Sequence, residues 1–113
     1  MEPNLQRAND FLSAWAASDV ERFAALLHDD IIFESPMVAL QGREQVAAAM
    51  ADFSQAVDGI DVIASAADGD SVLVMYDMHT GPFGTIRAAE RYRFEDDRIV
   101  SDQLVFDTAP MAT

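Results

Sequence analysis

Ala66-Ala67-Asp68-Gly69-Asp70-Ser71-Val72-Leu73-Val74-Met75-Tyr76-Asp77-Met78-His79-Thr80 decides how this chain folds. Asp68-Gly69 is a short hairpin signal, because glycine enters the left-handed backbone region that tight turns require. On its C-terminal side, β-branched, aromatic and other apolar residues fill almost every position from Val72 to Met78. A strand that is apolar at consecutive positions is buried on both faces. Working outward, Ile60 to Ala67 forms the preceding strand, and Gly81-Pro82-Phe83-Gly84 turns the chain into Thr85 to Glu95. Asp96-Asp97 makes the next turn, and Ile99 to Asp107 completes a meander. The last residues, 110–113, carry no structural signal and read as a loose tail.

Before residue 60 the apolar period is helical. Leu5, Ala8, Phe11, Leu12, Trp15 and Ala16 share one helix face over residues 4–17. Ser18-Asp19-Val20-Glu21 has the spacing of a capping box, with Ser18 accepting from the Glu21 amide. A second helix then carries Val20, Phe23, Ala24 and Leu27 inward and ends at Asp29-Asp30. There His28 suits the negative end of the helix dipole. Ile31 to Ser35 reads as a short strand broken by Pro36, with another extended piece at Val38 to Leu40. Gly42 opens a third helix, with Val46, Met50, Phe53 and Val57 inward and Gly59 as its cap.

Helices first and long strands afterwards is α+β order. The expectation is one domain, residues 1–113, in which three N-terminal helices pack on a strongly curved antiparallel sheet. Such a cystatin-like α+β roll is cone-shaped and encloses a pocket at its open end.

Composition narrows the chemistry. Twenty acids against seven bases leave a formal charge of −13, which repels nucleic acid and anionic membranes. Cysteine is absent, so there is no thiolate nucleophile, disulfide or Cys-bound metal; lysine is absent too, so there is no side-chain Schiff base. Two histidines without HxH or HExxH spacing give no metal signature. No cofactor is expected. No apolar run is long enough to span a membrane, and Met1-Glu2-Pro3-Asn4 lacks the basic start of a signal peptide. A cytoplasmic location is therefore expected.

Four stretches resemble the nuclear transport factor 2-like superfamily, in particular its SnoaL-like and ketosteroid isomerase-like members. They are Phe11-Leu12-Ser13-Ala14-Trp15-Ala16-Ala17-Ser18-Asp19, the segment from Asp29 to Pro36, Gly42-Arg43-Glu44, and Glu90-Arg91-Tyr92-Arg93-Phe94. The resemblance covers almost the whole chain and implies the fold more than an activity, since this fold hosts many functions. Against the steroid isomerases, the oxyanion tyrosine falls on Phe11, the general-base aspartate on Ser35 and the protonated oxyanion acid on Glu90. Two of three groups are lost, which argues against that reaction. The last acid of the epoxide hydrolases' Asp-Arg-Asp set falls at Leu104. SnoaL-like cyclases are more similar, with an inward acid and a nearby histidine that Glu90 and His79 would supply.

If Glu90 points inward, as the resemblance implies, Ile86, Ala88, Tyr92 and Phe94 point in with it, and Arg87, Arg91 and Arg93 point out. The Asp96-Asp97 hairpin sets Tyr92 beside Asp102 and Glu90 beside Leu104. The Gly81-Pro82 hairpin is expected to set Asp77 opposite Glu90, with His79 and Met75 on the same face. Asp77, His79, Glu90 and Asp102 would then enter a pocket walled by Phe11, Trp15, Phe33, Met75 and Phe106, with Ser35 at its mouth. One of two facing carboxyls would hold a proton. A protonated Glu90 would serve as acid, and Asp77 or His79 as base.

The structural alternative has Asp77 and His79 bonded near a strand end and Glu90 paired with Arg43 or Arg22. Two functions follow. One is a SnoaL-like isomerase, cyclase or hydratase/hydrolase acting on a small, neutral, apolar organic molecule. The other is a non-catalytic ligand-binding or dimeric interaction domain. Because both faces of the Val72 to Met78 strand are largely apolar and helices cover only one, a homodimer through the outer face of the sheet is expected.

Overall fold

In a computed structural model, residues 3–111 are described. Helices α1 (Pro3–Ala16), α2 (Val20–Ala24) and α3 (Arg43–Ser54) lie on one face of a sheet. Its strands are β1 (Leu27–Glu34), β2 (Ala39–Gln41), β3 (Val57–Asp68), β4 (Ser71–Thr80), β5 (Gly84–Glu95) and β6 (Arg98–Phe106). The spatial order is β2-β1-β6-β5-β4-β3. β1 runs parallel to β6, so the sheet is mixed rather than wholly antiparallel. That pairing sets β1 and β2 on the β6 edge of the β3–β6 meander.

Register shifts between Val62 and Ala64 on β3 and between Arg93 and Phe94 on β5 are the irregularities that let long strands bend. The sheet curls around the helices without closing. Asp96 and Asp97 both have positive φ, 53° and 65°, which suits the two-residue turn joining β5 to β6.

The core is anchored by α1, where Phe11, Leu12 and Trp15 are buried. Phe11 meets Phe23 and Tyr92 edge-on at 6.0 and 5.5 Å, linking α1 to α2 and to the sheet. Such contacts add about 1 kcal/mol each beyond burial. The Trp15 indole donates to the Met50 carbonyl at 2.9 Å and joins α1 to α3.

Several local expectations change. The cap of α2 is Asp19, which accepts from the Arg22 amide at 3.3 Å. Ser18 instead turns left-handed at φ 55° and meets the Ser54 hydroxyl at 3.0 Å. α2 ends at Ala24, so Leu27 and His28 belong to β1; an isolated five-residue helix has too few hydrogen bonds to persist beyond its tertiary support. α3 ends at Ser54 with Gln55 as its cap, which puts Val57 and Gly59 in β3. In the expected tail, Ala109–Met111 forms a 3₁₀ turn and Met111 packs against the core. Residues 112 and 113 lie outside the described residues.

Candidate active site

Alternation along β5 turns Ile86, Ala88, Glu90, Tyr92 and Phe94 inward, all buried. Tyr92 lies opposite Asp102 and Glu90 opposite Leu104, as the Asp96-Asp97 turn implied. The β4–β5 hairpin differs. Val74, not Asp77, lies opposite Glu90, and Asp77 lies opposite Arg87. The physical cause is the turn. The Thr80 hydroxyl donates to the Gly84 carbonyl at 2.7 Å and accepts from the Phe83 amide at 3.0 Å, with Gly84 at φ 73°. Those bonds close a three-residue loop of the kind that uses a left-handed glycine. An odd slip exchanges the two faces of a strand.

Asp77, His79 and Met75 therefore stand on the outer face and not in the cavity. Asp77 accepts a two-pronged hydrogen bond from Arg87, at 2.9 and 3.1 Å, and the guanidinium holds its carboxyl below the usual range. His79 bridges Asp61 at 2.7 Å and the Thr85 hydroxyl at 3.1 Å. Met75 is 42% exposed. None of the three can serve the interior.

In exchange, β4 turns Val72, Val74, Tyr76 and Met78 inward. Tyr76 was not expected to take part. Its hydroxyl donates to Glu90 Oε1 at 2.7 Å in a fully buried contact. The missed signal was the four-residue alternation itself, which becomes readable once the β4–β5 turn is known.

A cavity of about 130 Å³ opens beside this contact. Phe11, Trp15, Phe33, Phe53 and Phe106 wall it, with Tyr76 and Glu90 at its sheet side. Ser35 lines the mouth, but its hydroxyl is engaged at the β1–β2 turn, donating to the Val38 carbonyl and accepting from the Met37 and Val38 amides. The Trp15 indole N–H is likewise taken by Met50. Glu90 is thus the carboxyl that the cavity presents, and no arginine or histidine is among its lining residues.

Behind Glu90 lie Tyr92 and Asp102, both at 0% exposure. Neither lines the cavity, although both were expected to contact ligand. Among the described residues, neither Asp102 oxygen receives a hydrogen bond from an N–H or hydroxyl donor, and the Tyr92 hydroxyl has no partner. Burial, then the neighbouring Glu90 charge, push the Asp102 carboxyl well above its ordinary value of 3.8. Two carboxyls in apolar surroundings do not both ionise. Burial and the neighbouring Glu90 together favour the protonated form of Asp102. Burial first, and Glu90 second, also raise the Tyr76 and Tyr92 hydroxyls well above 10.0, so both remain donors. Glu90 pairs with neither Arg43, which is bound to Asp29 at 3.2 Å, nor Arg22.

Away from the cavity, His28, Glu95 and Asp96 bring possible ligand atoms within 4.8 Å of one another. There the His28 Nδ1 accepts from the Asp30 amide at 3.0 Å, which leaves the ring hydrogen on Nε2, facing Asp96 at 4.0 Å. This arrangement is a hydrogen-bonded surface imidazole.

The SnoaL-like domain family matches residues 8–102. The chain belongs to that family. A search of curated proteins finds no sequence match. Among solved structures, a protein from Kribbella flavida DSM 17836 is 28% identical with a TM-score of 0.90, covering 95% of this chain and 88% of that one. A LEH-like epoxide hydrolase from M. tuberculosis superposes with a TM-score of 0.81 at 23% identity, covering 96% and 86%. A ketosteroid isomerase candidate, also from Kribbella flavida, has a TM-score of 0.81 at 22% identity, covering 96% and 81%. The last two likenesses show the SnoaL-like chain's fold. Among its described residues no helix is long and apolar enough to cross a membrane.

Proposed function

We propose that this SnoaL-like chain is a cofactor-independent enzyme that performs acid/base chemistry on a small, mostly apolar organic molecule, by isomerisation, cyclisation or hydration. The observation that carries the reading is Glu90, a buried carboxyl facing an aromatic cavity, held by Tyr76 and backed by Asp102. Glu90 is the catalytic residue; Tyr76, which donates to it, and Asp102 behind it are positioning residues. The roles expected of Asp77 and His79 pass to this trio. With no cationic group in the lining, an anionic substrate is disfavoured. A cavity near the 150 Å³ that accommodates benzene suits one ring rather than a polycycle.

A panel of single-ring ketones and epoxides in D₂O, followed by NMR, tests this. At least one should exchange a C–H proton or open, and Glu90→Gln should slow that by about 10²–10⁴-fold, the usual contribution of a positioned acid or base. An unchanged rate in the variant would sink the catalytic role. Occupancy without turnover, reported by the fluorescence of Trp15 in the cavity wall, would favour the second reading of a ligand-binding module. That reading draws on the engaged Ser35 and Trp15, which leave Glu90 little polar help.

We also propose that two copies associate through the outer face. Its centre is an apolar row, Ala64, Met75, Ala89 and Val105, paired across four strands. Leu73, Met75 and Val105 are 50%, 42% and 60% exposed there. Around them stand Asp77, Arg87 and Arg91, a rim of both signs that can complement itself across a two-fold axis. Light scattering at micromolar concentration should give a dimer mass, and Met75→Glu a monomer. A monomeric parent chain would overturn the proposal.

A further inference from the structure

The polar side of the cavity is unusual in one respect. Glu90 is only 6% exposed, and the groups around it, Tyr76, Tyr92 and Asp102, can donate protons but carry no positive charge. All seven basic residues are arginines. Five of them are bonded elsewhere: Arg7 to Asp97, Arg43 to Asp29, Arg87 to Asp77, Arg91 to Ser71 and Gln103, and Arg93 to Glu95. Arg22 and Arg98 are exposed and outside the cavity lining. Among the described residues, Glu90 therefore has no cationic side chain as a partner.

A buried negative charge without a partner is costly, and a ligand that brings a positive charge removes that cost. The rest of the cavity is suited to such a ligand. Phe11, Phe33, Phe106 and the stacked pair Trp15–Phe53, 6.3 Å apart, line it with aromatic rings, whose faces attract an organic cation. The strongly negative net charge of the chain, formally −13, also raises the local concentration of cations around it.

We infer that the cavity takes a compact organic cation, a protonated amine on a single ring or a chain of similar size, with the ammonium on Glu90 and the apolar body among the aromatic walls. The inference rests on the reading of Glu90 as the cavity's working carboxyl and names the substrate class of that site. It is compatible with proton transfer there. The ammonium N–H bond breaks, the Glu90 O–H bond forms, and a neutral amine with a free electron pair remains, ready to act as an internal nucleophile.

Three probes of similar shape and different charge test it: benzylamine, benzyl alcohol and benzoate, titrated at neutral pH and followed by Trp15 fluorescence and proton NMR. Benzylamine should bind at least tenfold more tightly than benzyl alcohol, and benzoate should not bind. Glu90→Gln, checked for folding by circular dichroism, should erase the preference while still binding benzyl alcohol. On the unaltered protein, raising the pH above the amine's own pKa should remove the advantage, so the test survives a variant that does not fold. Equal binding of benzylamine and benzyl alcohol would overturn the inference and leave the acid/base reading standing, as would a charge preference that persists in Glu90→Gln. If none of the probes enters the cavity, the inference falls, and the ketone and epoxide panel decides the acid/base reading separately.

Discussion

Two acidic clusters sit on opposite faces of the same sheet. Inside, Glu90 and Asp102 lie in apolar surroundings, with tyrosine hydroxyls for company and no cation. Outside, Asp77 is gripped by Arg87 and Asp61 by His79, and water reaches both pairs. The carboxyls are alike; their partners and the solvent differ. On the outer face, charge is cheap and pairing adds little, because water screens it. On the inner face the same carboxyl shifts its protonation, restricts its neighbours and can act on a bound molecule.

The largest effect is expected from Asp102→Asn. The folded-state value of Asp102 is raised, so the native protein keeps a proton that the unfolded chain releases above about pH 4. The parent chain is therefore favoured by this group at low pH. It loses that contribution as the pH rises from the unfolded value toward the folded one, at up to about 1.4 kcal/mol per pH unit. Asparagine resembles the protonated acid in shape and cannot ionise. The variant should match the parent near pH 4 and become progressively more stable than it toward neutrality, in urea melts at several pH values. A difference that does not vary with pH would show that Asp102 is not the proton holder.

A smaller effect is expected from Tyr76→Phe. It removes the hydroxyl donor at 2.7 Å and leaves a buried carboxyl oxygen without it. The loss should be about 1–3 kcal/mol, the range for leaving a buried acceptor unsatisfied, seen as a lower urea midpoint. An unchanged midpoint would mean that water or another donor takes its place.

The smallest effects belong to the outer cluster. Asp77→Asn and His79→Ala should leave the melting temperature of the dilute protein and the reactivity of the cavity unchanged. Asp77 is held below its ordinary value by Arg87, so whatever it contributes is present above that value and fades only as the pH falls through the lowered one. A loss of turnover in either variant would show that the faces are less independent than their side chains suggest.

Much of this architecture could be read before any coordinates. The helical period through Phe11 and Trp15, the turn residues at Gly69 and Asp96-Asp97, and the alternation around Glu90 all depend on near neighbours. Their consequences followed, down to Tyr92 beside Asp102. The errors have one character. Leu27 and His28 continue a helical pattern locally, yet β1 claims them because β6 offers a parallel partner. Val57 and Gly59 were likewise taken from the third helix by pairing with β4. In each case a distant strand outweighed a short local preference.

The carboxyl site divides in the same way. That Glu90 faces inward, that Phe11, Trp15, Phe33 and Phe106 surround a cavity, and that Ser35 stands at its mouth were all legible. Which partner Glu90 would have was not. By itself, the sequence determined the order of elements and the apolar faces of the helices, because these depend on periods of two and 3.6 residues within one segment, while the inward Glu90 was implied by the family resemblance. Only the tertiary structure decided that the hairpin after Thr80 closes through Gly84, which sends Asp77 and His79 to solvent and Tyr76 to Glu90. Strand alternation has a period of two, so a register that is off by an odd number of residues keeps every strand and exchanges its faces.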